Sequence, residues 1–258
     1  MNLEVNGKRL KLHYLTVVGS TLHGLNSPDS DVDVKGVFTW KQEDYLGLEE
    51  PLEVLDNKNM SKEDRFELMQ QLEERFMRKF DDDLDLLEAK KFFKMAQKSD
   101  PTMLDMLYSS KVSDGSMVLF CSPEFKDVLN NRDLFLNYEL SKKRFLGMSF
   151  NCLKLGRKEA NKNRFKDLAK SLQTLFSFKN LVEEREFHPR LNTNQHKEVL
   201  DVKNNHLELD FHSFVKMVER RRSLLEEECN QLDLPLESKT QKEKNKSLNA
   251  SLLNLRHS

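Results

Sequence analysis

Gly19 and Ser20 follow directly on the hydrophobic run "KLHYLTVV" (residues 11–18), and after ten intervening residues come Asp31 and Asp33 at alternate positions. Glycine lets backbone approach a phosphate closely, and a serine at a helix start brings free N–H groups and a dipole that favour an anion. Side chains alternate along a strand, so Asp31 and Asp33 project from one face, roughly 7 Å apart. Two carboxylates so spaced can bridge Mg²⁺ ions, which prefer oxygen ligands and keep phosphates and waters in their shell. Lys35 continues on that face and can balance the acids or touch a phosphate. A two-metal site needs a third carboxylate from a neighbouring strand, to aim one ion at an attacking hydroxyl. "DDDLD" (residues 81–85) supplies it, with Asp83 as first choice and Asp85, on the same face, as second. The competing reading is an ordinary β-turn-β element with solvated acids, the commoner fate of a lone Asp-x-Asp. The full order of strand, Gly-Ser, ten residues, Asp-x-Asp and a later acidic strand is far more selective.

These groups require a sheet to hold them. Residues 11–18 read as a strand ended by Gly19, "STLHGLN" as roughly two helical turns with Ser20 as N-cap, and "DVDVKGVF" (residues 31–38) as the second strand. "MSKEDRFELMQQLEERFMRKF" (residues 60–80) sets Phe66, Met69, Leu72, Phe76 and Phe80 at helical spacing, with Ser61 and Asp64 approximating a capping box. "DLDLL" fits a third strand, and "EAKKFFKMAQKS" and "PTMLDMLYSS" read as helices, Pro101 opening the second. Three long amphipathic segments follow, beginning at Asn137, Arg164 and Phe211, with Phe145, Met148, Cys152 and Leu155 as a core stripe of the first. From Glu237 the chain is polar and poor in aromatics, which predicts a frayed tail with "LLNL" docking locally. The layout is α+β: a catalytic lobe over 1–111, a mostly α-helical lobe over 112–236 and a polar tail over 237–258.

Composition agrees with exposed helices: 38% of the 258 residues are hydrophobic and 33% charged. The net charge of -1 conceals an uneven distribution, since residues 139–190 hold 13 Lys+Arg against 6 Asp+Glu, a local net of +7. An acidic site together with a basic lobe suits metal ions bound with a polyanion. Cys121, Cys152 and Cys229 have neither metal-ligand spacing nor a disulfide pattern. No apolar run approaches about 18 residues and the N-terminus lacks a signal-peptide core, so a soluble, cytoplasmic protein without membrane contact is expected. His23 reads as a solvated loop residue, and His188, His196, His206 and His212 as surface or satisfied groups. "KKRF" (residues 142–145) and "ERRR" (residues 219–222) read as solvated helix faces, RNA phosphate contact being the rarer alternative. Trp40 and Tyr45 staple the segment after the second strand.

"GSTLHGLNSPDSDVDVKGVF" (residues 19–38) closely resembles the signature of the DNA polymerase beta-like nucleotidyltransferase superfamily. Within it, the segment looks like the branch associated with RNA-repair ligases, whose loop reads Gly-Ser, a Gly-containing stretch, Ser-Asp-x-Asp and then "GVF". "LLEAKKFFKMAQKSDPTMLDMLYSS" is similar to that branch's helix pair, and "LEEECNQLDLP" to its closing helix and Leu-Pro. The resemblance runs from about Leu12 to Pro235 and implies a small nucleotidyltransferase-type mixed sheet. It also implies Asp31, Asp33 and Asp83 as ligands of two Mg²⁺ ions, and Gly19 and Ser20 as binders of an NTP, ATP being the expected one. The implied activity is transfer of a nucleoside monophosphate to an acceptor hydroxyl with release of pyrophosphate. RNA ends are the favoured acceptor; a protein hydroxyl, as in antitoxin-like adenylylating members, and a catalytically degenerate nucleotide- or RNA-binding module are the alternatives. The family's Arg after the second Asp is Lys35 here, and its Lys-x-x-x-His-x-x-Arg pattern reads as Lys166, Lys170 and Gln173. The helix at residues 60–80 looks like an insertion and a candidate partner surface.

Overall fold

The chain opens on β1 (Asn2–Val5), reverses at Gly7, whose φ of +68° is the left-handed region glycine favours, and returns as β2 (Lys8–Val17). The one-turn helix α1 (Gly19–Leu22) follows, then β3 (Val34–Trp40), α2 (Gln42–Leu46), β4 (Val54–Leu55) and α3 (Lys62–Phe76). Next come β5 (Leu84–Glu88), α4 (Ala89–Ala96), α5 (Pro101–Tyr108), β6 (Val118–Cys121) and α6 (Pro123–Asn130). The remainder is helical: α7 (Tyr138–Gly156), α8 (Arg164–Glu184), α9 (Thr193–Lys203), α10 (Phe211–Gln231) and α11 (Gln241–His257). This computed structural model describes residues 1–257 apart from 6, 27–31, 47–50, 77–83, 113–115, 206–208 and 237–238. The architecture is α+β, with one compact unit of residues 1–98, 102–136 and 238–258 and a second of residues 99–101 and 137–237.

In the first unit the sheet runs β1-β2-β3-β5-β4, with β6 also paired to β2. Only β3 and β5 run parallel, Val34 opposite Leu84 and Lys35 opposite Asp85, so both strands start at one edge of the sheet. β2 runs antiparallel to β3 and ends at that same edge, with Val17 opposite Val34. The strand expected from residue 31 thus begins only at Val34, and Asp33 stands just before it.

Sequence periodicity found the strands that carry the site and missed β1 and β6. The face of β2 bearing Leu10, Leu12, Leu15 and Val17 joins Phe38, Leu86 and the helix residues Leu68 and Leu72 in the core. α3 packs by Leu68, Met69 and Leu72, while Phe66 is 70% exposed, against the expected stripe. Gln71 of α3 also satisfies β1, accepting from the Glu4 N–H at 3.0 Å and donating to its carbonyl at 2.8 Å. That contact covers backbone an edge strand otherwise leaves unpaired.

The neighbouring residues of β2 tie it to α5. Tyr14 Oη donates to Met106 O at 3.0 Å, and Ser109 Oγ lies 2.8 Å from both Tyr14 Oη and Thr16 Oγ1. Burial pushes the Tyr14 phenol up to about 12. His13 is fully buried, its Nε2 2.9 Å from Thr39 Oγ1, and burial, with Lys11 next, holds its pKa down to about 4 from 6.5. Folded His13 therefore stays neutral where the unfolded chain takes up a proton. Its contribution is complete above about pH 6.5 and is lost as the pH falls towards 4, a change of roughly 3 kcal/mol. Urea midpoints measured between those pH values are expected to fall for the native chain and to fall less for His13→Gln.

The residues read as a frayed tail form α11, which packs on α4 and α6. Its anchors are partly polar: Leu248 and Leu255 are buried, and Lys244 Nζ donates to Leu136 O at 2.6 Å. Arg256 lies 4.1 Å over the Tyr45 ring and donates to Glu88 Oε1 at 2.8 Å, the oxygen that also accepts from Tyr45 Oη. Tyr45 Oη accepts from the Trp40 N–H at 3.1 Å, so the expected Trp40–Tyr45 staple is present and reaches the C-terminal helix.

In the second unit α8 lies at the centre, with α7, α9 and α10 packed on it. Phe145 and Cys152 of α7 are buried as expected, but Leu155 is 45% exposed, because the inward turn continues through Leu153 and Gly156. Arg222 is buried, donates to Ser149 Oγ at 3.0 Å and pairs with Glu226. Among the described residues no helix is long and apolar enough to cross a membrane.

Candidate active site

Where β2 ends and β3 and β5 begin, the chain makes a tight corner. Val18 donates its N–H to Asp33 O at 2.9 Å, continuing the β2–β3 ladder one step past the strand ends. Gly19 then adopts φ +66°, and a Cβ placed on it would lie 1.9 Å from Asp33 Oδ2. The Asp33 carboxylate is therefore packed against the Gly19 backbone, in space that only glycine leaves open. Ser20 lies inside α1, whose N-cap is Val18 with no side-chain bond, so Ser20 does not serve as the expected N-cap. α1 is a single four-residue turn, shorter than expected, and its macrodipole is correspondingly slight. What the corner offers an anion is local: backbone N–H groups and the Ser20 hydroxyl.

The turn is held from beneath. His23 accompanies it, its N–H donating to Gly19 O at 3.3 Å, while Leu25 N–H donates to Ser20 O at 2.8 Å. His23 is buried rather than solvated, and its Nε2 lies 3.2 Å from Asp105 Oδ2 on α5. The same helix is gripped by Tyr14 and Thr16, so β2 and α5 together locate the corner. Asp105 escaped sequence reading, although a lone acid in the otherwise apolar "PTMLDMLY" was a usable signal.

Of the acids singled out in the sequence, Asp31 and Asp83 lie outside the described residues. Asp33 and Asp85 are described, on strands that pair directly. Asp85 stands opposite Lys35 in the register and is ion-paired with it, so the charge that Lys35 balances is that of Asp85. The donor set around the corner is oxygen-rich, and the Gly19 cradle leaves the Asp33 carboxylate beside backbone N–H groups, which fits a hard cation held together with phosphate. Among the described residues alone, no cluster of three metal-ligating side chains occurs.

In the second unit "ERRR" is largely committed internally. Arg221 forms a two-pronged pair with Glu198, and Arg222 is buried, while Arg220 is exposed. Gln173, at the place of the family's Arg, is buried in α8, whereas Lys166 and Lys170 are exposed.

None of the curated proteins and none of the solved structures compared with the chain matches it. The profile of RlaP, the RNA repair pathway DNA polymerase beta family, matches residues 3–253, almost the whole length. The corner at Gly19 and the acids that flank it thus occur in a chain that belongs to the RNA repair pathway DNA polymerase beta family, a polymerase beta-like nucleotidyltransferase type.

Proposed function

We propose that this protein is a Mg²⁺-dependent nucleotidyltransferase that transfers a nucleoside monophosphate from an NTP, ATP being the favoured donor, to the hydroxyl of an RNA end. The observation that carries this reading is the packing of the Asp33 carboxylate against the left-handed Gly19, at the edge where β3 and β5 begin. It supports a site in which a carboxylate-bound cation and a nucleotide's phosphates share one corner. Family membership supports the reaction class, and the local charge of +7 over residues 139–190 supports a nucleic-acid acceptor.

In this reading Asp31, Asp33 and Asp83 hold the metal. When bound, two Mg²⁺ ions supply Lewis-acid stabilisation of the phosphoryl charge and acidify the attacking hydroxyl. The chain's own part is positioning. Gly19 admits the triphosphate close to backbone, and Ser20 donates its hydroxyl to a phosphate oxygen. The His23–Asp105 contact keeps that turn from shifting as the nucleotide enters. The acceptor oxygen forms a bond to the α-phosphorus and loses its proton, the bond to the β-phosphate oxygen breaks, and pyrophosphate leaves. Asp83 is preferred over Asp85 as third ligand because Asp85 is taken by Lys35, and because Asp83 directly precedes Leu84 in sequence as Asp33 precedes Val34.

The test is incubation with α-labelled NTPs, Mg²⁺ and RNA oligonucleotides bearing free terminal hydroxyls. Label on RNA with equimolar pyrophosphate is the expected result. Label on protein instead would move the acceptor to a protein hydroxyl. NTP binding with neither product would leave a binding module and overturn the enzymatic reading.

A further inference from the structure

We propose that the groove beside α3 is a docking site for a partner protein, taking a short segment that presents one carboxylate between apolar side chains. The groove has a volume of about 790 Å³, and its lining includes Met60, Lys62, Arg65, Phe66, Met69 and Glu73. Two features set it apart from ordinary helix surface. Phe66 is 70% exposed at its rim, beside the partly buried Met60 and the buried Met69, which gives the groove an apolar side. Within it, both terminal nitrogens of Arg65 are shielded from solvent and have no hydrogen-bond partner.

A guanidinium removed from water without a counter-ion is costly in the free chain, and a ligand that supplies the missing acceptor recovers that cost. The planar fork of Arg65 accepts a carboxylate through two parallel bonds. The charge around it selects the kind of partner. α3 carries Lys62, Arg65 and Arg75 against Glu63, Asp64, Glu67, Glu73 and Glu74, a net of -2. A nucleic-acid backbone needs a row of cations to replace its counter-ions, and this helix would repel it. A single carboxylate flanked by apolar residues meets Arg65, Phe66 and Met69 without that penalty. The segment also lies outside the strands that carry the candidate active site, so docking here leaves the Gly19 corner open.

The test uses the full chain labelled at its methionine methyl groups, titrated with the blocked tripeptides acetyl-Phe-Asp-Leu-amide and acetyl-Phe-Asn-Leu-amide and with phenyl phosphate. The aspartyl peptide is expected to shift the Met60 and Met69 methyl resonances and to bind about tenfold or more tightly than its amide isostere, as a charged hydrogen-bonded pair requires. Arg65→Gln should erase that preference, and Phe66→Ala should weaken both peptides alike. With no partner in the free chain, Arg65→Gln should leave the thermal midpoint unchanged or raised. Equal affinity for the two peptides, tighter binding of phenyl phosphate, or no methyl shift at about 10 mM peptide each overturns the proposal. So does a fall of more than about 4 °C in the midpoint of Arg65→Gln, which would mark Arg65 as a structural ion.

Discussion

Gly19→Ala is expected to lower nucleotidyl transfer by about 10²-fold or more while costing little of the fold. The added methyl would meet Asp33 Oδ2 at 1.9 Å and Asp33 Cγ at 2.9 Å, distances no real Cβ tolerates, and the φ of +66° must be kept for the chain to turn from β2 into α1. The left-handed conformation costs an alanine about 1–2 kcal/mol. The clash is relieved differently, because its partner is the tip of a rotatable side chain and not backbone. Asp33 swings away, on the order of 1 Å, and the sheet beneath it is undisturbed. Displacements of that size at a reacting centre cost about 10²-fold in rate. The expected pattern is therefore a loss of kcat/KM with a thermal midpoint lower by only several degrees. An active Gly19→Ala enzyme would mean that the Asp33 carboxylate need not sit where it does, and the proposed site would fail with it.

The parts of this fold legible in the sequence were those with a strong period and a buried face. β2, β3 and β5 declared themselves through β-branched and apolar runs, and the order Gly19, Ser20, Asp33 pointed to the edge they share. β1 went unread although Asn-Gly at residues 6–7, between "LEV" and "KRL", is a strong hairpin signal. β6 has four residues, none fully buried, so it leaves no hydrophobic imprint and exists through pairing with β2. α11 defeated compositional reasoning for another reason. Two of its anchors, Lys244 and Arg256, bind by their charged tips, to the Leu136 carbonyl and the Glu88 carboxylate, and hydropathy scores such residues as solvent-facing.

Similar physics governs the site. The Gly-Ser corner and the Asp-x-Asp acids are local in sequence and could be picked out. The Lys35–Asp85 pair depends on parallel register, and the His23–Asp105 contact on where α5 lies beneath the corner. Both are long-range facts, and no spacing rule within one strand or helix contains them. Lys35 shows the consequence. Its place on the face of the aspartates suggested a phosphate or a metal-site acid as its partner, whereas the register sets it against the next strand's acid.

That register leads to the sharpest contrast among the acids. Asp33→Asn is expected to lower kcat/KM on the order of 10³-fold, since losing about 4 kcal/mol of metal-borne charge stabilisation in the transition state corresponds to that factor. The amide is isosteric and fits the Gly19 cradle, so the thermal midpoint should hardly move. Asp83→Asn is expected to cost a comparable factor. Asp85→Asn, by contrast, only releases Lys35, whose ammonium is 24% exposed and can turn to water; partly exposed pairs of this kind contribute under about 1 kcal/mol, so activity should fall less than about tenfold. Steady-state kinetics of the three amides at saturating Mg²⁺ separates the possibilities. Should Asp85→Asn abolish transfer while Asp83→Asn spares it, the third ligand is Asp85, and its pair with Lys35 is a contact that metal binding must break. Should all three amides retain full rate, the carboxylates at this edge of the sheet serve the fold alone.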